Sequence, residues 1–358
     1  MRFFSIFRTI TLRFIAMVNI IAVLVMWLCA YIGHVSPERL PLGEVLALAF
    51  PAPLIVNLLF LLFWLFFHRR YALIPIVGML VCWQAIWDYC PWHFRQEVPE
   101  GAIKVMSYNV CNFVGPDYDK SKALGVAEHI CESGADIVCL QETGALRLSL
   151  KKKVEERLSQ EYAHGGRLMK KDGEEVSIYT RYPVLWCKEL PIDKMKNQSA
   201  VFCLDVKGTQ VLVYNCHLQS IGFDKEDKDE LRGGNLKNID ERSLISKMRA
   251  SAPLRARQAD FIAKELKANE GKAVILCGDF NCSPTCYAHT TICHLLTDCY
   301  KASGRGLGFT YNNGETYARI DNIFCSKDFE CYGCEVDTEI DVSDHYPVVC
   351  WVKMPTKP

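Results

Sequence analysis

Ala273-Val274-Ile275-Leu276-Cys277-Gly278-Asp279-Phe280-Asn281 decides the fold. Five apolar residues read as a buried strand, and the strand stops on a glycine followed by a carboxylate and an amide. The same punctuation recurs along the chain. Lys104–Ser107 runs into Tyr108-Asn109, Asp136–Leu140 into Gln141-Glu142, and Val211–Tyr214 into Asn215-Cys216-His217. Arg319-Ile320 precede Asp321, and Ser343-Asp344-His345-Tyr346-Pro347 leads into a last apolar run. Sites in open α/β sheets form beyond strand ends, where rigid strands aim side chains from loops. A buried carboxylate or histidine is costly unless it is paired or metal-bound, so six such strand ends point to one site.

Outward from these ends, strand-like segments alternate with helix-like ones. Lys104–Cys111, Asp136–Leu140, Val176–Thr180, Val201–Val206, Gln210–His217, Ala273–Cys277, Arg319–Cys325 and Val348–Val352 are rich in Val, Ile and Cys and predict strands. Lys207-Gly208-Thr209 joins two of them as a hairpin. Helical spacing occurs at Leu124, Ala127 and Cys131, and at Ala259, Ile262, Ala263 and Leu266, with Ser251 and Pro253 as the expected start of the second helix. Gly222–Ala250, dense in charge and glycine, reads as a solvated loop, with a substrate-facing flap as the alternative. Mixed strands and helices predict an α/β layered domain.

Charge divides the 358 residues in two. The chain as a whole balances 41 basic against 41 acidic groups, which excludes a disordered polyelectrolyte and gives no global basic signal for nucleic acid. Residues 1–90 hold six Arg, no Lys and only three acids, whereas the remainder has a net charge of −3. Three apolar stretches fill the first part: 14–31, 45–67 and 71–87. A bilayer core needs about 20 helical residues, so residues 1–89 predict a membrane anchor of three transmembrane helices. A signal peptide would explain the first stretch alone. Residues 90–102, with Pro91 and Pro99, form a linker, and 103–358 a soluble body. Arg2, Arg8 and Arg13 before the first span, with Arg69 and Arg70 between the second and third, outnumber Arg39 on the other side. This predicts an integral protein of the plasma or inner membrane with its body on the non-cytoplasmic side.

The ordered motifs resemble the endonuclease/exonuclease/phosphatase superfamily, which includes deoxyribonucleases, neutral sphingomyelinases and inositol-polyphosphate phosphatases. Gly-Asp-Phe-Asn at 278–281 and Ser-Asp-His-Tyr-Pro at 343–347 carry the resemblance, supported by Gln141-Glu142. It implies a four-layer α/β sandwich of two packed mixed sheets flanked by helices, with one site at the sheet edges. It also implies Glu142, Asn109 and Asp344 as ligands of Mg²⁺ or Mn²⁺. Asp279 and Asn281 would position the attacking water or contact phosphate, His345 would sit at the scissile phosphate, Asp321 would orient it, and His217 would be the second histidine. Asn215 either supports its loop or, with Asn281, contacts substrate. The chemistry agrees: hard oxygen ligands suit Mg²⁺ or Mn²⁺, and histidines near neutral pKa move protons. The expected activity is a membrane-anchored phosphodiesterase or nuclease. Its alternatives are a lipid phosphodiesterase or phosphatase and an idle scaffold. The expected partners are the lipid bilayer and a phosphodiester from nucleic acid or a lipid head group, with no obligate protein partner.

Other candidates have blander explanations. Arg255, Arg257 and Gln258 read as a solvated helix face, Arg181-Tyr182-Pro183 as structural, and His289 and His294 as non-catalytic. Fifteen of the 18 cysteines follow residue 100. Cys282-x₃-Cys286 and Cys331-x₂-Cys334 have zinc-like spacing without a complete four-ligand set. So many thiols favour a reducing compartment, against the charge count.

Overall fold

Runs that are apolar on both faces build the middle of two six-stranded sheets. The computed structural model describes residues 2–144, 146, 148–169, 175–191, 198–222, 241–313 and 316–355. Sheet one has the order β13 (Glu330–Val336), β14 (Val348–Lys353), β1 (Ile103–Asn109), β2 (Ile137–Gln141), β4 (Glu175–Thr180), β3 (His164–Met169). Sheet two has the order β5 (Val184–Glu189), β6 (Ser199–Val206), β7 (Thr209–His217), β8 (Ala273–Asp279), β12 (Asp321–Cys325), β9 (Thr297–Asp298). A small hairpin, β10 (Tyr311–Asn313) with β11 (Thr316–Ala318), stands apart. Each six-stranded sheet contains one parallel pair, β1 with β2 and β7 with β8, among antiparallel neighbours. The β6–β7 turn places Lys207 and Gly208 both at positive φ, the backbone twist a tight hairpin requires.

Four layers result. Val105, Ile137, Phe202, Val213, Ile275 and Ile323 fill the space between the sheets. Helices α6 (Ala123–Glu132) and α7 (Leu148–Glu161) cover the outer face of sheet one through Val126, Ile130 and Leu158. Helices α8 (Glu241–Ala268) and α9 (Tyr287–Cys293) cover sheet two through Ile262, Leu266 and Ile292. A short helix, α10 (Cys299–Ser303), is capped by the Asp298 carboxylate. The four-layer α/β sandwich is therefore present. The expected start of α8 at Ser251 is corrected: the helix begins at Glu241 and Pro253 lies inside it. Ser251 Oγ instead donates to Met248 O. The loop expected over Gly222–Ala250 is accordingly helical from Glu241, and residues 223–240 lie outside the described residues.

The first ninety residues form α1 (Arg2–Tyr31), α2 (Gly43–Leu48), α3 (Pro51–Phe67), α4 (Leu73–Val81) and α5 (Trp83–Tyr89). Only Ile6–His34 is a single helix long and apolar enough to cross a membrane, among the described residues. The stretch expected as one span over 45–67 breaks between α2 and α3, where Pro51 and Pro53 open the new helix. The stretch over 71–87 breaks at Cys82, and residues 69–81 and 83–89 meet at a 65° bend. Polar groups lie inside this head: Asn19 donates to Asn57 Oδ1 at 3.0 Å and accepts from Trp64 Nε1 at 2.9 Å, and all three side chains are buried. Its outside is apolar, with Phe66 84% exposed alongside Ile10, Leu59 and Leu80.

Candidate active site

Sheet geometry brings the strand-end residues together. Parallel pairing of β7 with β8 sets His217 opposite Asp279, and antiparallel pairing of β12 with β8 sets Asp321 opposite the same Asp279. Asn109 closes β1 on the facing sheet, and its Nδ2 donates to Glu142 Oε1 at 3.0 Å and to Asp279 Oδ2 at 3.1 Å. One amide thereby bridges carboxylates of both sheets. Glu142 and Asn281 hold left-handed backbone, φ 57° and 50°, which costs energy for non-glycine residues and is common where a site fixes its geometry. Gly278 stands at φ 154°, and a Cβ there would lie 1.8 Å from Cys216 O. Only glycine lets β8 run this close to β7 just before Asp279.

His345 arrives on the loop before β14. Its Nδ1 lies 2.8 Å from Asp321 Oδ2, leaving Nε2 turned toward Asp279 Oδ2 at 3.8 Å. Burial works against its protonated form, but Asp321 and Asp279, with Asp344 behind them, outweigh that and raise its pKa to about 10. Asp279 is fully buried and beside Asp321; both effects lift its pKa to about 6, against the pull of His345 and His217. Its Oδ1 accepts the Asn281 amide N–H at 2.8 Å, while Asn281 Nδ2 donates to Leu218 O. His217 Nε2 lies 3.7 Å from both Glu142 Oε1 and Asp279 Oδ2. That nitrogen and Asp321 Oδ1 are buried polar atoms without a hydrogen-bond partner. Such atoms are rare in a folded interior unless a ligand completes them.

Glu142, Asp279, Asn281, Asp344 and His345 line one end of a cavity of about 470 Å³. Asp279, Asp321 and His345 each offer a ligand atom within 4.8 Å of the others, and Glu142, 31% exposed, opens on the cavity. Oxygen donors predominate, as a hard divalent cation requires. Asn215 is the exception among the expected residues. Its Nδ2 donates to Leu140 O and Ser177 O, both at 3.0 Å, and its Oδ1 accepts from Gln141 Nε2. Wholly buried between the sheets, it ties them together and does not reach the cavity, which corrects its assignment to substrate.

Sequence reasoning missed several contributors. Thr310 Oγ1 accepts the backbone N–H groups of Ile320 and Asp321, fixing the carboxylate that holds His345, and Tyr311 meets the His345 ring edge-on at 5.1 Å. Arg255, expected on a solvated face, is buried: Nε donates to Glu44 Oε1 at 2.8 Å and Nη1 to Gln219 O at 2.6 Å. Gln258 accepts the Gln219 N–H beside it, whereas Arg257 is exposed. His289 pairs with Asp298 at 3.2 Å, apart from the catalytic cluster. All 18 cysteines are free. Cys331 sits 3.3 Å from Cys325 and 3.4 Å from Cys299, two thiols that sequence spacing did not pair with it.

Comparison with known proteins places this geometry. No curated protein matches the chain. Residues 12–89 match a family model described as a domain of unknown function. Among solved structures, an endonuclease/exonuclease/phosphatase family protein of Bacteroides thetaiotaomicron is 20% identical, with TM-score 0.53, covering 73% of this chain and 100% of its own. The mannosyl-6-phosphatase of the same organism is 20% identical, with TM-score 0.51, covering 70% and 100%. A humanized D. rerio TDP2 is 15% identical, with TM-score 0.50, covering 71% and 99%. At these identities the likeness is one of fold. The model of the Endonuclease/Exonuclease/phosphatase family matches residues 106–345, from β1 to His345, and the chain belongs to that family of divalent-metal-dependent phosphohydrolases.

Proposed function

We propose that this phosphohydrolase is a membrane-anchored phosphodiesterase that uses Mg²⁺ or Mn²⁺. The convergence of His217 and Asp321 on Asp279, Glu142 and His345, which line one cavity, carries the reading. Glu142 and Asp344, which line the cavity, are the residues that would hold the cation; Asn109, expected as a ligand, instead turns its Nδ2 to Glu142 and steadies that carboxylate, while its Oδ1 accepts the Cys111 N–H. When bound, the cation would neutralise charge on the phosphoryl oxygens. Asp279 is poised as the base for the attacking water, because its raised pKa makes it a better proton acceptor than an ordinary carboxylate. Asn281, locked by its backbone and by Leu218 O, orients that water. Water oxygen bonds to phosphorus as the bond to the leaving oxygen breaks. His345, kept protonated by Asp321, donates the proton the leaving oxygen requires. Proton return from Asp279 to His345 Nε2 closes the cycle across their 3.8 Å approach. The unpartnered His217 Nε2 is free to donate to a non-bridging phosphoryl oxygen.

The helical head supports anchoring. Its exterior is apolar, and a buried hydrogen-bonded network of Asn19, Asn57 and Trp64 joins its helices within an otherwise apolar interior, a pattern of helices packed in lipid. At one end Leu12 and Ala16 pack with Trp64, Tyr71 and Ala72, near Arg13, Arg69 and Arg70. At the other, Cys29 and Ala30 pack with Phe50 and Cys82, where the chain enters the catalytic domain. The basic end is thus remote from the domain. With α3 as a short second crossing and α4 with α5 as one bent third crossing, the positive-inside rule would put the catalytic domain on the non-cytoplasmic side.

The test is a panel of DNA, RNA, sphingomyelin, phosphoinositides and a soluble chromogenic diester, with added Mg²⁺ or Mn²⁺. Turnover should vanish in chelator and fall severely in Glu142→Gln with the melting curve kept. Full turnover by that variant, or in excess chelator, would refute the metal assignment.

A further inference from the structure

The far end of the active-site cavity does not belong to the catalytic domain alone. Away from the strand ends that carry Asp279 and His345, its walls include the apolar Leu48, Ile221, Leu244 and Met248. Leu48 comes from α2 of the helical head and is 39% exposed, facing open space. Glu44 of the same helix also lines the cavity. Helix α2 is fixed there. Glu44 takes the buried Arg255 guanidinium, Thr285 Oγ1 donates to Ala47 O at 2.9 Å, and Ile32 and Ala47 join the apolar cluster beneath sheet two. A Cβ on Gly33 would lie 1.9 Å from Thr285 O, so the head and the catalytic domain meet backbone to backbone. Residues 12–89 are therefore more than a tether, because they complete the walls of the site.

We infer that this cavity binds a membrane-lipid phosphoester, with its phosphate at the Asp279–His345 end and the first part of its hydrocarbon chain against Leu48, Ile221, Leu244 and Met248. The inference rests on the phosphohydrolase reading of the same site. Two features select the occupant. A cavity with the catalytic acids and histidine in one part and a mainly apolar remaining wall, where the carboxylate of Glu44 is neutralised by Arg255, matches an amphiphile. The described lining residues outside the catalytic cluster are mainly apolar, which suits hydrocarbon better than the regularly spaced phosphates of a polynucleotide. Part of the apolar wall, Leu48, also belongs to α2, the element that leads directly into the apolar helix α3.

Chain length is the readout, measured on the full-length protein in micelles with added Mn²⁺. The probes are p-nitrophenyl alkyl phosphates with methyl, butyl, hexyl and octyl chains, each below its own micellar concentration. Water attacks phosphorus and releases nitrophenolate and the alkyl phosphate. Transfer of a methylene from water into a fully apolar wall is worth roughly fourfold in kcat/KM, so hexyl should exceed methyl by at least tenfold. Leu48→Ser, an exposed position, should flatten that series while keeping the melting temperature. In nanodiscs, bilayer phospholipid should be cleaved faster than single-stranded DNA. Turnover of the methyl ester with no dependence on chain length, or preference for DNA, would overturn the lipid inference and leave the phosphohydrolase standing. Failure to cleave any ester, methyl included, would overturn both.

Discussion

Removing Glu44 alone should destabilise the whole protein, because it strands a buried guanidinium. Arg255 and Glu44 are 1% and 5% exposed, and Arg255 directs Nε and Nη2 at Glu44 Oε1 and Nη1 at Gln219 O. In Glu44→Ala two of these three hydrogen bonds disappear, and a full positive charge stays buried against a single carbonyl. Breaking one side of a buried pair costs about 3–5 kcal/mol. At roughly 2–4 °C per kcal/mol for a domain of this size, the melting temperature should fall by roughly 6–20 °C. Replacing both partners, Glu44→Leu with Arg255→Met, removes the stranded charge and fills the space, so it should recover most of the loss. The assay is tryptophan-fluorescence melting of the full-length protein in detergent micelles. A Glu44→Ala melt within a degree of the parent would refute the burial of this pair. A double variant as unstable as the single one would refute the attribution to an unpaired charge.

Three further outcomes follow from the same geometry. His345→Ala and His217→Ala should each lower turnover about 10²–10⁴-fold, and the double variant should lose less than the product of the two, because both act on one phosphate; a fully multiplicative loss would separate them. Turnover should rise with pH as Asp279 loses its proton near 6 and fall as His345 loses its proton near 10, so Asp321→Asn, which removes the charge raising both, should move both limbs down; an unmoved alkaline limb would disconnect Asp321 from His345. Gly278→Ala should cost about 3 kcal/mol or more, read as a lowered melt, since its Cβ would collide with Cys216 O at a φ disfavoured for alanine.

Which strands were legible follows from where they sit. The eight recognised in sequence are β1, β2, β4, β14, β6, β7, β8 and β12, every one an interior strand of its sheet. Covered on both faces, most of them are written as nearly continuous apolar runs. The strands overlooked at the sheet margins, β3, β5, β9 and β13, are the four edges. Of these, β3 and β5 are largely exposed, and their Gly, Lys, Arg and Glu residues hide the alternation that marks a strand while protecting an open edge. Polar residues after apolar runs located Asn109, Glu142, His217, Asp279, Asp321 and His345 because a strand end projects its last side chain from the rim. Asn215 shows the limit of that rule. It points to the same face as His217 but lies two residues, nearly 7 Å, deeper along β7, where the facing neighbours are carbonyls of sheet one.

Two misreadings, the solvated face around Arg255 and the unbroken span over 45–67, have one physical origin. Periodicity and hydropathy report how apolar a segment is, and they are silent on what it packs against. Arg255 lies on a helix with charged neighbours, so its own surroundings in sequence suggest water. Its partner is 211 positions away, in a stretch whose hydropathy suggests lipid. Each residue is unfavourable where it stands unless the other is there, since a buried arginine and a buried glutamate are both costly alone. The pair therefore specifies one docking of helical head on catalytic domain, and no lateral slip of α2 over α8 preserves it. That docking carries Leu48 to the wall of the catalytic cavity, so under the lipid inference a structural ion pair with no chemical role sets the apolar wall that the substrate's chain would meet.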